Sequence, residues 1–413
     1  MAITYTFPLT GSTFVSLYNP FYYVLTSTNV AKTNFKFVID LSINYTICGS
    51  STIASKSIGR FKVYPNPTDN KGYFDAHSIL ANYVNNQDFY PTITGLQPIC
   101  SAIQYFQSFG EEYDDNPLSA ATGTTIYPAL ATASGRAINS IRQFDESLNL
   151  NSYDAVNRPD TKFLTSWNFN FYKNIYRNEW ETTQIVDTSS PSGFYYYYIN
   201  TFNSTGGTIG QFRIQNSVSR TKTEVPTGTK NLYNLISNNL LGGGSRRVID
   251  TDVDNYYVEY RSSTGQLSQL YGFQIVEDCT KYEKIRIAFL DPLGSYDYWT
   301  FEQKSRQAIS VKSDTWTKKW GSDYVIGDRG DTSLYVNGDK ELEVTSGWLK
   351  QHESDFLQKI FTSPSIYLIK TDGTKIPLIL NTREAELKKT QNENLINYTI
   401  VFGFAHKIYG QNG

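Results

Sequence analysis

Between Asn34 and Ile47 the chain reads NFKFVIDLSINYTI, in which Phe35, Phe37, Ile39, Leu41, Ile43 and Tyr45 recur at every second position. A period of two lays these side chains along one face of an extended strand, whereas a helix would scatter them around its circumference. The residue supply agrees. Aromatics reach 15%, with 32 Tyr and 24 Phe, while charged residues are only 18%. Rings and β-branched side chains suit pleated, half-buried surfaces, and long helices would need more Ala, Leu, Glu and Lys. The chain therefore reads as mainly β, with tandem β-sandwich modules followed by a small C-terminal α+β domain.

The 413 residues leave room for several cores. Residues 1–110 are expected to form an N-terminal β-sandwich-like domain, with Pro65 and Pro67 closing a strand and a short helix in FDAHSILANYVNN capped by Asp75. Residues 111–160, rich in Gly, Ala, Ser, Asn and Pro with little periodicity, read as an extended loop or connector. Residues 161–330 read as a second β-sandwich-like domain, in which Lys230 to Leu241 suggests a short helix stopped by Gly242, Gly243 and Gly244. Residues 331–413 read as the α+β domain. There, a helix capped by Ser346 carries Trp348, Leu349, Phe356, Leu357 and Ile360, Pro364 ends it, an Asp372-Gly373 turn joins two strands, and a last strand spans NENLINYTIVFGF.

A net charge of -2 offers no broad attraction to phosphate backbones, so a direct nucleic-acid role is not expected. No apolar run approaches the ~20 residues that cross a bilayer, and MAITYTFPLT carries no basic leader; neither membrane insertion nor secretion is expected. Cys48, Cys100 and Cys279 are odd in number and far apart, which predicts no disulfide framework or zinc site and favours a reducing cytoplasm.

No motif anchors catalysis. Asp291 and Asp297 flank a turn in FLDPLGSYDYWTF, and paired carboxylates beside Tyr296, Tyr298 and Trp299 are the raw material of a glycosidase. The same residues also build a hairpin: Asp291 bonding its own turn, Pro292 fixing φ and Gly294 taking a left-handed conformation, with Trp299 and Phe301 facing the core. The hairpin is the preferred reading. DVDNYY at Asp252 and GDRGDTS at Gly327 lack the full calcium-loop ligand set, and His77, His352 and His406 do not cluster. Catalytic, metal-ligating and cofactor-binding residues are therefore not assigned, and no cofactor is expected.

GFYYYYIN carries more information. Phe194, Tyr196 and Tyr198 point one way, Tyr195, Tyr197 and Ile199 the other, so both faces of this strand are aromatic. Such a strand suits a sheet covered by its own core on one side and by a neighbouring domain or subunit on the other; an exposed strand held by cross-strand pairs, or a carbohydrate groove, stays open. With Tyr296, Tyr298, Trp348 and Phe356, these aromatics are the interface candidates.

YNPFYYVLTSTN, the YPNP and FD element of FKVYPNPTDNKGYFDAHSILANYV, and FLDPLGSYDYWTF, together with SGWLKQHESDFLQKIFTSPSIYLI and LINYTIVFGFAHKIYG, resemble virion structural proteins of tailed phages, particularly large β-rich proteins of phages infecting Bacteroidota. The resemblance implies a non-enzymatic tail or baseplate ring subunit, made in the bacterial cytoplasm, that contacts other virion tail or baseplate proteins and copies of itself. A receptor or glycan-binding tail protein that meets host-surface glycan is the first alternative, and a glycan-degrading virion enzyme using Asp291 and Asp297 is the second.

Overall fold

The computed structural model describes residues 4–6, 14–47, 50, 52–84, 89–114, 125–141, 150–155, 160–186, 195–216, 222–263, 265–277, 281–317, 319, 321–323, 325–327, 330–382 and 396–409. It is predominantly β, with several sheets and a few short helices. Two compact units emerge: Met1–Asn174 with Glu181–Ile275 and Asp291–Tyr296, and Ile175–Trp180 with Val276–Leu290 and Asp297–Gly413. The division thus follows neither the 110, the 160 nor the 330 boundary expected from composition.

In the first unit the alternating segment forms the strand Lys36–Thr46. It lies within a five-stranded sheet ordered Phe14–Ser16, Thr125–Ile138, Ala102–Tyr113, Lys36–Thr46, Ile53–Val63. Phe37, Ile39, Leu41 and Ile43 are buried, and they share a core with Phe21, Tyr23, Leu25, Tyr105 and Phe109. Each such side chain contributes roughly 1.5–3 kcal/mol on burial. The helix after Asp75 is only His77–Leu80, continued as a 3₁₀ turn over Ala81–Tyr83. The Asp75 carboxylate accepts the backbone N–H of His77 at 3.2 Å and that of Phe21 at 3.3 Å.

The expected connector is corrected by the strand Thr125–Ile138, which pairs with Ala102–Tyr113 through its length. Small residues hid it. Its Gly135 lies under the Tyr105 ring, where a Cβ would stand 2.6 Å from Cζ, so the strand surrenders side-chain bulk to a neighbour's ring. A periodicity search cannot register such a strand. The helix read at Lys230 to Leu241 is also corrected: Thr229–Tyr233 is helical, and the glycines instead turn a hairpin between Ile236–Asn238 and Ser245–Arg247. All three adopt positive φ, +103°, +94° and +79°.

A second sheet of this unit runs through Tyr271–Val276, Asn255–Ser262, Tyr195–Phe202 and Thr208–Asn216. A third, made of Thr182–Val186, Lys222–Pro226 and Gln97–Pro98, is buried along both longer strands although it is largely polar. Burial of charge requires partners. Lys173 and Glu181 pair at 2.7 Å, each about 2% exposed, and Glu224 accepts Thr182 Oγ1 at 2.5 Å and the Tyr90 N–H at 2.8 Å.

In the second unit an eight-stranded sheet is ordered Tyr296–Phe301, Ile285–Leu290, Ile366–Ile369, Lys375–Leu380, Thr399–Phe404, Asp331–Thr345, Arg306–Thr317, with Ile408–Tyr409 also bonded to Asp331–Thr345. The helix Gln351–Leu357 places Phe356 against Phe289 at 5.6 Å and Trp299 at 6.1 Å. Its start is later than Ser346: the Lys350 N–H donates to Glu353 Oε2 at 2.8 Å, while Ser346 Oγ accepts the Tyr398 N–H at 2.9 Å. Ser346 is therefore spent on a strand, and Glu353 fixes the first helical turn.

Cys100 is disulfide-bonded, contrary to the expectation of reduced cysteines; Cys48 and Cys279 lie outside the described residues. A bonded cysteine removes the support that cysteine usage gave to a reducing compartment. Among the described residues no helix is long and apolar enough to cross a membrane.

Candidate functional site

FLDPLGSYDYWTF folds as two strands, Ile285–Leu290 and Tyr296–Phe301, around a tight turn. The Gly294 N–H donates to the Asp291 carbonyl at 2.8 Å, the Asp291 N–H donates to the Ser295 carbonyl at 2.8 Å, and Asp291 Oδ1 accepts the Leu293 N–H at 2.8 Å. Gly294 has φ +85°, and its carbonyl accepts a bond from Lys222 Nζ, which also donates to Ser101 Oγ at 3.0 Å and Asn139 Oδ1 at 2.7 Å. Asp291 and Asp297 are each 2% exposed. Asp291 serves the turn, and neither carboxylate is open to a sugar.

The candidate aromatics separate by burial. Tyr296 stacks on Phe89 at 3.8 Å, Tyr298 lies beneath Arg286, and both rings are enclosed, as is Phe356. These three have no surface to give a partner, which corrects their assignment as interface residues. Both tyrosines on the side of the strand offered to a neighbour are buried, while Trp299, on the side assigned to the core, is only half-buried. Trp348, 65% exposed, stays on the surface.

Of the tyrosine run, Phe194 lies outside the described residues, and Tyr197 is buried, edge-on to Phe163 with its hydroxyl donating to the Pro226 carbonyl at 3.4 Å. Tyr195 stacks on Tyr260 at 5.9 Å. Tyr196 and Tyr198 share the opposite, half-buried face. Arg213 faces Tyr198 in register but lies 4.9 Å over Tyr196, and Arg261 faces Tyr196 yet lies 5.3 Å over Tyr198. The two crossed contacts, each worth ~0.5–1 kcal/mol, hold both rings against the sheet. Glu259, on the same face, accepts from Asn200 Nδ2 at 3.3 Å; burial holds its carboxyl above the ordinary range, against the lowering effect of Arg261.

Two concave features can be described. A cavity of about 90 Å³ touches Thr46, Gln104, Arg136 and Lys222, well under the ~300–1,000 Å³ of sites that enclose organic ligands. A shallower hollow of about 510 Å³ runs over Asp40, Ser42, Ser57, Arg60 and Ser108, and its carboxylate is held bidentate by Arg60 at 2.7 and 2.9 Å. Among the described residues no group of His, Cys, Asp and Glu could hold a metal ion. In DVDNYY, Asp252 is bonded by Arg246 at 2.6 and 2.9 Å.

One stretch of exposed apolar surface belongs to residues that pattern reading missed. Arg306–Thr317 and Asp331–Thr345 pair from Arg306↔Glu343 to Thr317↔Asp331, with a bulge past Asp314. Among the described residues, Thr399–Phe404 supports this pair only at Glu341–Thr345, and Ile408–Tyr409 only at Asn337 and Gly338. Beyond them, Ser313–Thr317 and Asp331–Val336 form a two-stranded arm. Leu342 and Val344 on the supported part are fully buried; the same face continues through Gly338, buried beside Ile309 and Ile408, to the part-exposed Val336. There Ile309 is 57% exposed, Val311 61% and Ile408 46%; farther out, Trp316 is 49% and Leu334 59% exposed. A Cβ on Gly338 would stand 3.4 Å from both Ile309 and Ile408, so the bare glycine lets the two side chains converge. The signal in RQAISVKSDTWT was present but negative: its apolar residues are few, and no regular alternation marks a covered face.

No protein-family model matches the chain, and no curated protein matches it.

Proposed function

We propose that this chain is a non-enzymatic structural subunit of a phage virion, a tail or baseplate ring component built on sandwich-like β modules, that positions neighbouring proteins by broad contacts. The arm of Arg306–Thr317 and Asp331–Thr345 carries the assembly part of this reading. A hairpin standing free in water is marginally stable, and exposed apolar side chains on an unpaired sheet edge favour association. A lone subunit gains nothing from such an arm; an assembling one gains an interface. The virion setting rests on the resemblance of YNPFYYVLTSTN, the YPNP and FD element and FLDPLGSYDYWTF to phage structural proteins. Other tail proteins and copies of the chain are the partners.

The test is stoichiometry in purified particles. The chain is expected at a fixed copy number in the tail region, located by particle imaging with subunit assignment. A variant in which an Asn-Gly turn replaces Lys312–Val336 is expected to fold but to be left out of particles. Finding the unaltered chain only in infected-cell lysate, and never in particles, would overturn the assignment.

A second reading has its own observation: Tyr196 and Tyr198 form a half-exposed aromatic face with Arg213 and Arg261 in reach, a platform on which a sugar's apolar face can stack. Host-glycan binding lost on Tyr196→Ala with the fold intact supports it, and silence across host surface polysaccharides removes it.

A further inference from the structure

We infer that the edge strand Arg306–Thr317 pairs antiparallel with the same strand of a second copy of this chain, across a two-fold axis at Ser313. The inference rests on the assembly reading above and names the contact that the arm makes. One side of this strand is bonded to Asp331–Thr345, and among the described residues no strand occupies the other. Its residues are almost all exposed. Strand addition would satisfy the open row of N–H and C=O groups.

The charges select the register. Lys312 and Asp314 share a face, two residues apart. With Ser313 on the axis, Lys312 stands opposite the second copy's Asp314, and Asp314 opposite its Lys312. Ile309 and Val311 then face threonines, Thr317 and Thr315. Centring on Lys312 or Asp314 instead sets like charge against like, and a half-step slip breaks both pairs. A lysine on an edge ordinarily discourages pairing; with an aspartate two residues on, it admits one partner in one register.

Both groups can turn to a second copy at small cost. Lys312 is 72% exposed at the side chain and stands 3.6 Å from Asp339, a solvent-screened pair, while Asp314 accepts from the exposed Tyr335 hydroxyl. Pairing also joins the two exposed Ile309 and Val311 patches into one continuous sheet face. The contact is isologous, so in a ring it links subunits as dimers or joins two rings face to face, leaving the head-to-tail contacts to other surfaces.

The purified full chain provides the test by sedimentation and by disulfide trapping. Lys312→Asp and Asp314→Lys each turn two attractions into two repulsions and are expected to weaken self-association about tenfold or more. The double variant Lys312→Asp/Asp314→Lys restores both pairs with signs exchanged and is expected to recover it. Directly opposed residues lie ~4.5–5.5 Å apart at Cα, so Ser313→Cys is expected to trap a covalent dimer under mild oxidation, whereas Ser310→Cys, offset by roughly 20 Å from its copy, is not. The unaltered chain controls for the native cysteines. No rescue by the double variant, or equal trapping at both positions, overturns the pairing. Incorporation into particles that depends on the arm, without trapping at Ser313, also overturns it while the assembly reading stands. Trapping at Ser313 in a chain absent from particles supports the pairing and removes the virion assignment instead.

Discussion

Gly294 and Gly206 both hold left-handed backbone, φ +85° and +80°, yet the two positions carry different loads. A Cβ at Gly206 meets nothing within 4 Å, whereas at Gly294 it would stand 2.5 Å from the Asn139 carbonyl oxygen and 2.7 Å from its carbon. Gly206→Ala is therefore expected to cost ~1 kcal/mol, the backbone penalty alone, and Gly294→Ala ~2–4 kcal/mol, because backbone must also move. Urea denaturation of the two variants checks the ordering, and equal losses would show that the turn is not clamped. Glu259 supplies a pH-dependent case. Burial raises its folded-state pKa above the ordinary carboxylate value, so its contribution to stability is fully present below that value and is lost as pH rises through the raised one. Glu259→Gln is expected to raise the melting temperature at pH 7 and to lose that advantage near pH 4. A uniform shift at both pH values would assign the effect to packing. From the sequence, Asp291, Pro292 and Gly294 were legible as a turn because each has a local backbone duty. The burial of Tyr296 and Tyr298 was not, because alternation says which residues share a side and not what lies over it.

At the scale of elements, legibility followed side-chain contrast. Lys36–Thr46 was readable because one face is apolar and every apolar residue on it meets a core, and the Asp372-Gly373 turn because Gly373 takes φ +87° and Asp372 bonds the Thr374 N–H at 2.8 Å. Thr125–Ile138 was not, because its small residues make room for the Tyr105 ring. The helix of the second unit shows a competition between two starts. Ser346 and Glu353 are both capping residues by type, but the serine hydroxyl already accepts the Tyr398 N–H, so the helix begins where Glu353 can bond the Lys350 N–H. Glu353→Ala is expected to cost ~0.5–1 kcal/mol, seen as earlier loss of helical signal on heating, while Ser346→Ala disturbs the neighbouring strand and leaves the helix start in place. Amide exchange resolved along the helix separates the two. Faster exchange confined to the first turn in the Ser346 variant would reverse the assignment.

For the molecule as a whole, the arm separates what folds the chain from what assembles it. Leu342 and Val344 lie at the supported end of their strand with 0% exposure, whereas Ile309, Val311, Trp316 and Leu334 are each about half exposed or more. Burying apolar area yields roughly 25 cal/mol per Å², so side chains left in water contribute little to the folded monomer and retain that free energy for a later contact. Removing Lys312–Val336 through an Asn-Gly turn keeps the Val311 end of the pairing and all of the ladder to Thr399–Phe404. The excised chain is accordingly expected to melt within a few degrees of the full chain at low concentration, where neither associates. Association should divide them. As concentration rises, the melting temperature of the full chain should climb with oligomer formation, since a partner that binds only the folded state stabilises it by mass action, and that of the excised chain should stay flat. Differential scanning calorimetry across a hundredfold concentration range provides the measurement. A large loss of stability at low concentration would make the arm part of the fold, and parallel concentration dependence in both chains would move the self-association surface elsewhere on the molecule.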